Sequence, residues 1–104
     1  MDASEPTGRI DLVQEHGRAV LRLRGEVDSA VVDAWAATAG PAGRAEVVDL
    51  TATTFLDCRG VRLLLRETAR ARGAGRVPEL RGPSRRVRRT LEVTGAAPLF
   101  AACC

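Results

Sequence analysis

With 104 residues and a formal net charge of +3, the chain can build one hydrophobic core but not two. All sixteen basic residues are arginine, interspersed with thirteen carboxylates, and no stacking aromatics lie among them as single-stranded nucleic-acid binding would require. No apolar run approaches the ~18 residues needed to cross a bilayer, and three cysteines, two of them adjacent at the end, make a poor disulfide framework and point to a reducing compartment.

Met1 to Gly8 is polar, contains Pro6 and lacks the charged and apolar regions of a signal peptide. It reads as a flexible leader over residues 1–8 of a cytoplasmic protein. Ile10 to Glu15 and Ala19 to Arg24 follow as two strands of a hairpin turning at His16-Gly17. His16 at the turn tip is a solvated residue, and no second histidine exists to form a metal pair. Asp28 or Ser29 caps a helix with Val31, Trp35 and Thr38 or Ala39 inward, and Gly40-Pro41 stops it.

Val47, Val48 and Leu50 form a short apolar run expected of a strand covered on both faces, which the loop-prone Thr51 to Thr54 then break. Asp57 offers a helix start, because its carboxylate can accept from the free amides of the first turn. From there Val61, Leu64, Leu65, Thr68 and Ala69 mark one inward face. Arg72 to Gly75 is a flexible exit to a short strand, Val77 to Leu80, which Pro78 places at a sheet edge. Gly82-Pro83-Ser84 opens a last helix to about Val93, with Val87 and Leu91 inward and Gly95 as terminator. Residues 101–104 are a short C-terminal tail. The order predicts an α/β domain with a mixed sheet of about four strands, right-handed crossovers and helices packed on it. Trp35, Phe55 and Phe100 are the three aromatic side chains that can help fill its core.

Cys58, Arg59 and Gly60 stand at the mouth of the central strand-to-helix turn, where an α/β sheet usually places its chemistry or its partner contact. A cysteine hydrolase would need a base beside Cys58, and the one histidine sits on a distant hairpin. The turn before Cys58 contains no glycine, so it is not a phosphate-binding loop. Arg59, Arg62, Arg66 and Arg70 fall along one helix face, as a solvated stripe or a surface for an acidic partner. Cys103 and Cys104 read as part of the exposed tail rather than a metal site. No cofactor or metal is expected.

Gly25-Glu26-Val27-Asp28, Val48-Asp49-Leu50 with Phe55-Leu56-Asp57-Cys58-Arg59-Gly60-Val61, and Gly82-Pro83-Ser84 through Leu91 and Thr94-Gly95 together resemble the STAS domain. This is the family of bacterial anti-sigma factor antagonists and of the cytoplasmic domains of sulphate transporters. The resemblance covers residues 9–100 as one STAS domain and implies a non-enzymatic, protein-binding regulator in bacterial signalling and transcription regulation. Its implied partner is an anti-sigma factor with a serine-kinase ATPase fold, with no nucleic acid and no membrane insertion. In regulated antagonists the residue after the motif aspartate is a serine or threonine that this partner phosphorylates, which ends binding. Here that position is Cys58. Arg59 also departs from the family, where a small residue is usual beside the glycine. The implied partner-binding residues are Asp28, Ser29, Asp57, Cys58, Arg59, Arg62 and Arg66. Two other functions fit the same residues: a STAS accessory subunit of a transport ATPase, and a redox sensor at Cys58, since thiols at helix starts are the reactive ones.

Overall fold

The computed structural model describes residues 8–40 and 43–103. Strands β1 (Gly8–Glu15) and β2 (Arg18–Val27) form the antiparallel hairpin. Its two-residue turn places His16 at φ 50° and Gly17 at φ 79°, the left-handed pair that matches the twist of the flanking strands. Helix α1 (Ser29–Thr38), strand β3 (Val47–Leu56), helices α2 (Cys58–Glu67) and α3 (Ala69–Gly73), strand β4 (Glu79–Arg81), helix α4 (Arg85–Val93), a single 3-10 turn (Ala97–Leu99) and strand β5 (Ala101–Cys103) complete the order. The five strands lie in sequence order, and every pairing after the hairpin is parallel. Each parallel step needs a crossover. Ile10, Leu21, Leu23, Val48, Leu50 and Leu80 share one core with Val31 and Val32 of α1, Val61, Leu63 and Leu64 of α2, and Val87 and Leu91 of α4. The helices therefore cover one face of the sheet.

Several sequence expectations are corrected, among them the flexible exit at Arg72 to Gly75, whose first two residues close helix α3. Thr51 to Thr54 are not a loop but the middle of β3, whose pairing with β2 shifts register twice, between Arg22 and Arg24 and between Gly25 and Glu26. These irregularities destroy the alternation that marks a strand, while the buried Thr53 hydroxyl donates to the Leu23 carbonyl at 2.8 Å. Strand β4 begins after Pro78 and lies between β3 and β5 rather than at the edge. The missing proline N–H falls just outside the ladder, and the Pro78 carbonyl accepts from Ala101 N at 2.9 Å. Residues 101–103 are not a tail but the edge strand β5; residue 104 and residues 1–7 of the expected leader lie outside the described residues, while Gly8 already belongs to β1. Helix α2 ends at Glu67, where the Thr68 hydroxyl turns back to the Leu64 carbonyl at 2.7 Å. The helical phase resets there, leaving Ala69 exposed and burying Ala71.

The other face of the sheet carries a charged lattice. Arg18 pairs with Glu79, Glu79 with Arg81, Arg81 with Glu15 and Glu15 with Arg22, each at 2.9–3.0 Å, and Arg22 reaches Asp49 at 3.8 Å. Val20 and Val47, paired in register on this face, are fully buried, as expected where arginine stems lie across apolar strand residues. The Arg81 hydrogen bond holds Glu15 below the ordinary carboxylate range. Hydrogen bonds from Arg18 and then Arg81 do the same for Glu79. Burial pushes Asp49 up, but the Thr51 hydroxyl and amide, with Arg22, outweigh it and leave Asp49 lowered. Carboxylates depressed in the folded state contribute stability above their unfolded pKa and lose it as pH falls through the folded value. Acidification from about pH 5 to about pH 3 therefore lowers the melting temperature. Glu79→Gln costs about 0.5 to 1 kcal/mol at neutral pH, the scale of partly exposed pairs, and has a shallower acid limb. Parallel wild-type and variant melting curves across that range would remove the lattice from the acid response.

Candidate functional site

Strands β2 and β3 run parallel, so their C-terminal ends deliver two strand-to-helix junctions to the same edge of the domain. Val27 lies opposite Leu56 in the register, and Asp57 N donates to the Val27 carbonyl at 3.4 Å. At the first junction Asp28 caps α1, its carboxylate accepting from Val31 N at 3.2 Å. At the second, Asp57 caps α2, accepting from Gly60 N at 2.9 Å. Both aspartates sit in extended backbone at the cap and satisfy amides that the first turn leaves unpaired.

Cys58 is the first residue of α2 and is an exposed free thiol. Two residues on, Gly60 is buried against β3. A Cβ there would stand 2.4 Å from Leu56 Cδ1 and 3.4 Å from Val27 Cγ1. This close approach presses the helix start onto the strand ends and holds Cys58 outward. Arg59 is exposed but not free, because it donates to Asp33 of α1 at 2.8 Å and ties the two helices together. Ser29 opens α1 half-buried, and Arg62 is exposed one turn below Arg59.

Asp28, Ser29, Asp57, Cys58 and Arg59 thus lie together at the strand ends, with Arg62 just beyond. Arg66 does not join them. It sits two turns further along α2, about 12 Å from Cys58 at helical rise, on a separate cleft with Trp35, Ala39, Gly40 and Glu67.

The sequence reading missed the other wall. Phe55 is not core filling: it is 37% exposed beside the caps, and the Arg86 guanidinium of α4 lies 6.0 Å from its ring centroid, at the outer limit of a cation–π contact. Glu26, Asp28, Thr54, Phe55 and Arg86 line a cleft of about 300 Å³. The one local signal was a large aromatic on the wrong phase of a strand, two residues before a cap.

The family model described as "Mlab, STAS domain" matches residues 10–100. The chain belongs to the STAS domain family. No curated protein matches it. Among solved structures, this STAS domain is similar to the "Anti-Sigma Factor Antagonist SpoIIAA in its Unphosphorylated Form", with a TM-score of 0.66 and 22% identity over 91% of this chain and 88% of that one. At that identity the likeness is one of fold. The mixed sheet and the helices packed on it are the fold expected of a STAS domain, with five strands rather than about four. Among the described residues, no helix of this STAS domain is long and apolar enough to cross a membrane, and no group of His, Cys, Asp and Glu side chains could hold a metal ion.

Proposed function

We propose that this STAS domain is a cytoplasmic protein-binding regulator of the anti-sigma factor antagonist type. Its partner is an anti-sigma factor with a serine-kinase ATPase fold, docked through Asp57, Cys58, Arg59 and Gly60, with Asp28, Ser29 and Arg62 alongside. The observation that carries this reading is the presentation of Cys58: an exposed, small side chain on the first turn of a capped helix, at the edge where two parallel strands end. That is the place where one added phosphate would put about 1.5 to 2 negative charges into a packed contact. A thiol replaces the hydroxyl acceptor, so the domain remains permanently competent to bind.

The test is a pull-down from the native cell extract, followed by incubation of the captured kinase with ATP. Wild type takes up no stable phosphate, whereas Cys58→Ser becomes a substrate. Capture of a transporter's nucleotide-binding subunit instead would assign the surface to the transport-ATPase reading. Capture that depends on oxidation of Cys58 would assign it to the redox reading. Stable phosphorylation of the wild type at another residue would overturn the lost switch.

A further inference from the structure

The arginines of this domain are unevenly paired. On the open sheet face Arg9, Arg18, Arg22 and Arg81 are ion-paired, while Arg24 beside them, and Arg44, Arg62, Arg66, Arg70 and Arg76 elsewhere, are exposed without an ion pair among the described residues; what sets α4 apart is four such arginines within five residues. On α4, Arg85, Arg86, Arg88 and Arg89 are all exposed, and none forms an ion pair among the described residues. Glu92 is the one carboxylate of that helix. The helix is fixed in place by Val87 and Leu91, both fully buried, and by its Ser84 cap, which accepts from Val87 N at 3.2 Å. Its first turn is anchored beside β3, as Arg86 over Phe55 shows. Arg85 and Arg89, one turn apart, occupy one side of the helix.

We infer that the docking surface continues from the start of α2 across Phe55 onto the N-terminal half of α4, and that it takes a partner protein whose docking face is acidic. The inference rests on the docking role proposed for the α2 start and names the chemistry of the protein that docks there. Carboxylates of the partner pair with Arg85, Arg86 and Arg89, and an apolar hollow receives Phe55. Unpaired arginines on a rigid helix beside a partly apolar cleft suit bidentate carboxylate recognition and raise the rate of encounter with an acidic surface. An anionic membrane fits less well. The apolar side chains Val87 and Leu91 are committed to the core rather than offered to lipid.

The test uses the purified full chain against the kinase recovered by the pull-down, with binding rates measured at about 50 and about 500 mM salt. Wild-type association slows at least about tenfold at the higher salt. Arg85→Glu with Arg89→Glu weakens binding about 30-fold or more at low salt and flattens the salt dependence. Arg44→Glu with Arg76→Glu makes the same change in net charge at exposed positions before β3 and β4, at the opposite end of the sheet, and leaves the affinity within about threefold. Equal losses from the two pairs would reduce the effect to net charge and overturn the inference, as would no loss from either. Flotation with vesicles containing about 30% phosphatidylserine that depends on Arg85 and Arg89 would overturn it in favour of a membrane. If Cys58→Asp binds like wild type, the docking role of the α2 start itself has failed. If Cys58→Asp loses binding and the α4 pair does not, only the extension onto α4 has failed.

Discussion

Cys58→Asp lowers affinity for the proposed kinase partner by about 2 to 4 kcal/mol, roughly 30- to 1,000-fold in Kd. On that proposal the carboxylate enters the contact at the first turn of α2, as an unpaired charge in a packed interface. Arg59, the nearest cation in sequence, is already engaged by Asp33 at 2.8 Å. The same substitution does not weaken the fold. Cys58 is exposed, so no packing is lost, and a negative charge on the first turn of α2 meets the positive end of the helix dipole, worth about 0.3 to 1 kcal/mol in favour of folding. Affinity and stability therefore move in opposite directions, which separates an interface effect from a folding defect in one variant. Calorimetry against the purified partner, with denaturant unfolding of the same sample, reads both. Undiminished binding by Cys58→Asp would remove the α2 start from the interface and the antagonist assignment with it. Cys58→Ser is the control, expected to bind as wild type until it is phosphorylated.

What could be read from the chain without its structure was what short-range chemistry determines. The Asp57 cap, the choice of Asp28 or Ser29 before α1 and the helix opening at Gly82-Pro83-Ser84 are local, since a capping side chain reaches only to the amide three residues on. The hairpin turn at His16-Gly17 was legible for the same reason. The errors arose where tertiary pairing overrides local pattern. Ala101–Cys103 carries no amphipathic signal and is a strand because β4 offers it an edge. Thr51–Thr54 looked like a loop because two register shifts hide the strand period. The site divides along the same line. Asp57, Cys58 and Gly60 fall within four residues and were readable, whereas Arg86 meets Phe55 and Arg59 meets Asp33 only because the crossovers bring three helices onto one face.

Gly60→Val joins fold and site, and its expected effect on stability is the largest of the single substitutions considered. Glycine is required here by space rather than by backbone conformation. Even an alanine Cβ would come within 2.4 Å of Leu56 Cδ1, and Leu56 is itself 2% exposed, with little room to give. Val27, whose side chain lies 3.4 Å from the same point, blocks the other direction. A branched side chain must therefore displace the first turn of α2 from the strand ends or force Leu56 off its rotamer, a cost of about 1 to 3 kcal/mol or more for overpacking a filled core. A domain of this size has about 5 to 15 kcal/mol in hand, so the variant folds but unfolds at clearly lower denaturant. Gly60→Ala shows a smaller loss in the same direction. The displaced turn also weakens the Asp57 cap, which depends on the Gly60 amide at 2.9 Å. Cys58 then loses its fixed position, and affinity falls even for the folded fraction. Denaturant midpoints within error of wild type for both variants would show that α2 can shift freely and that Gly60 does not position the site.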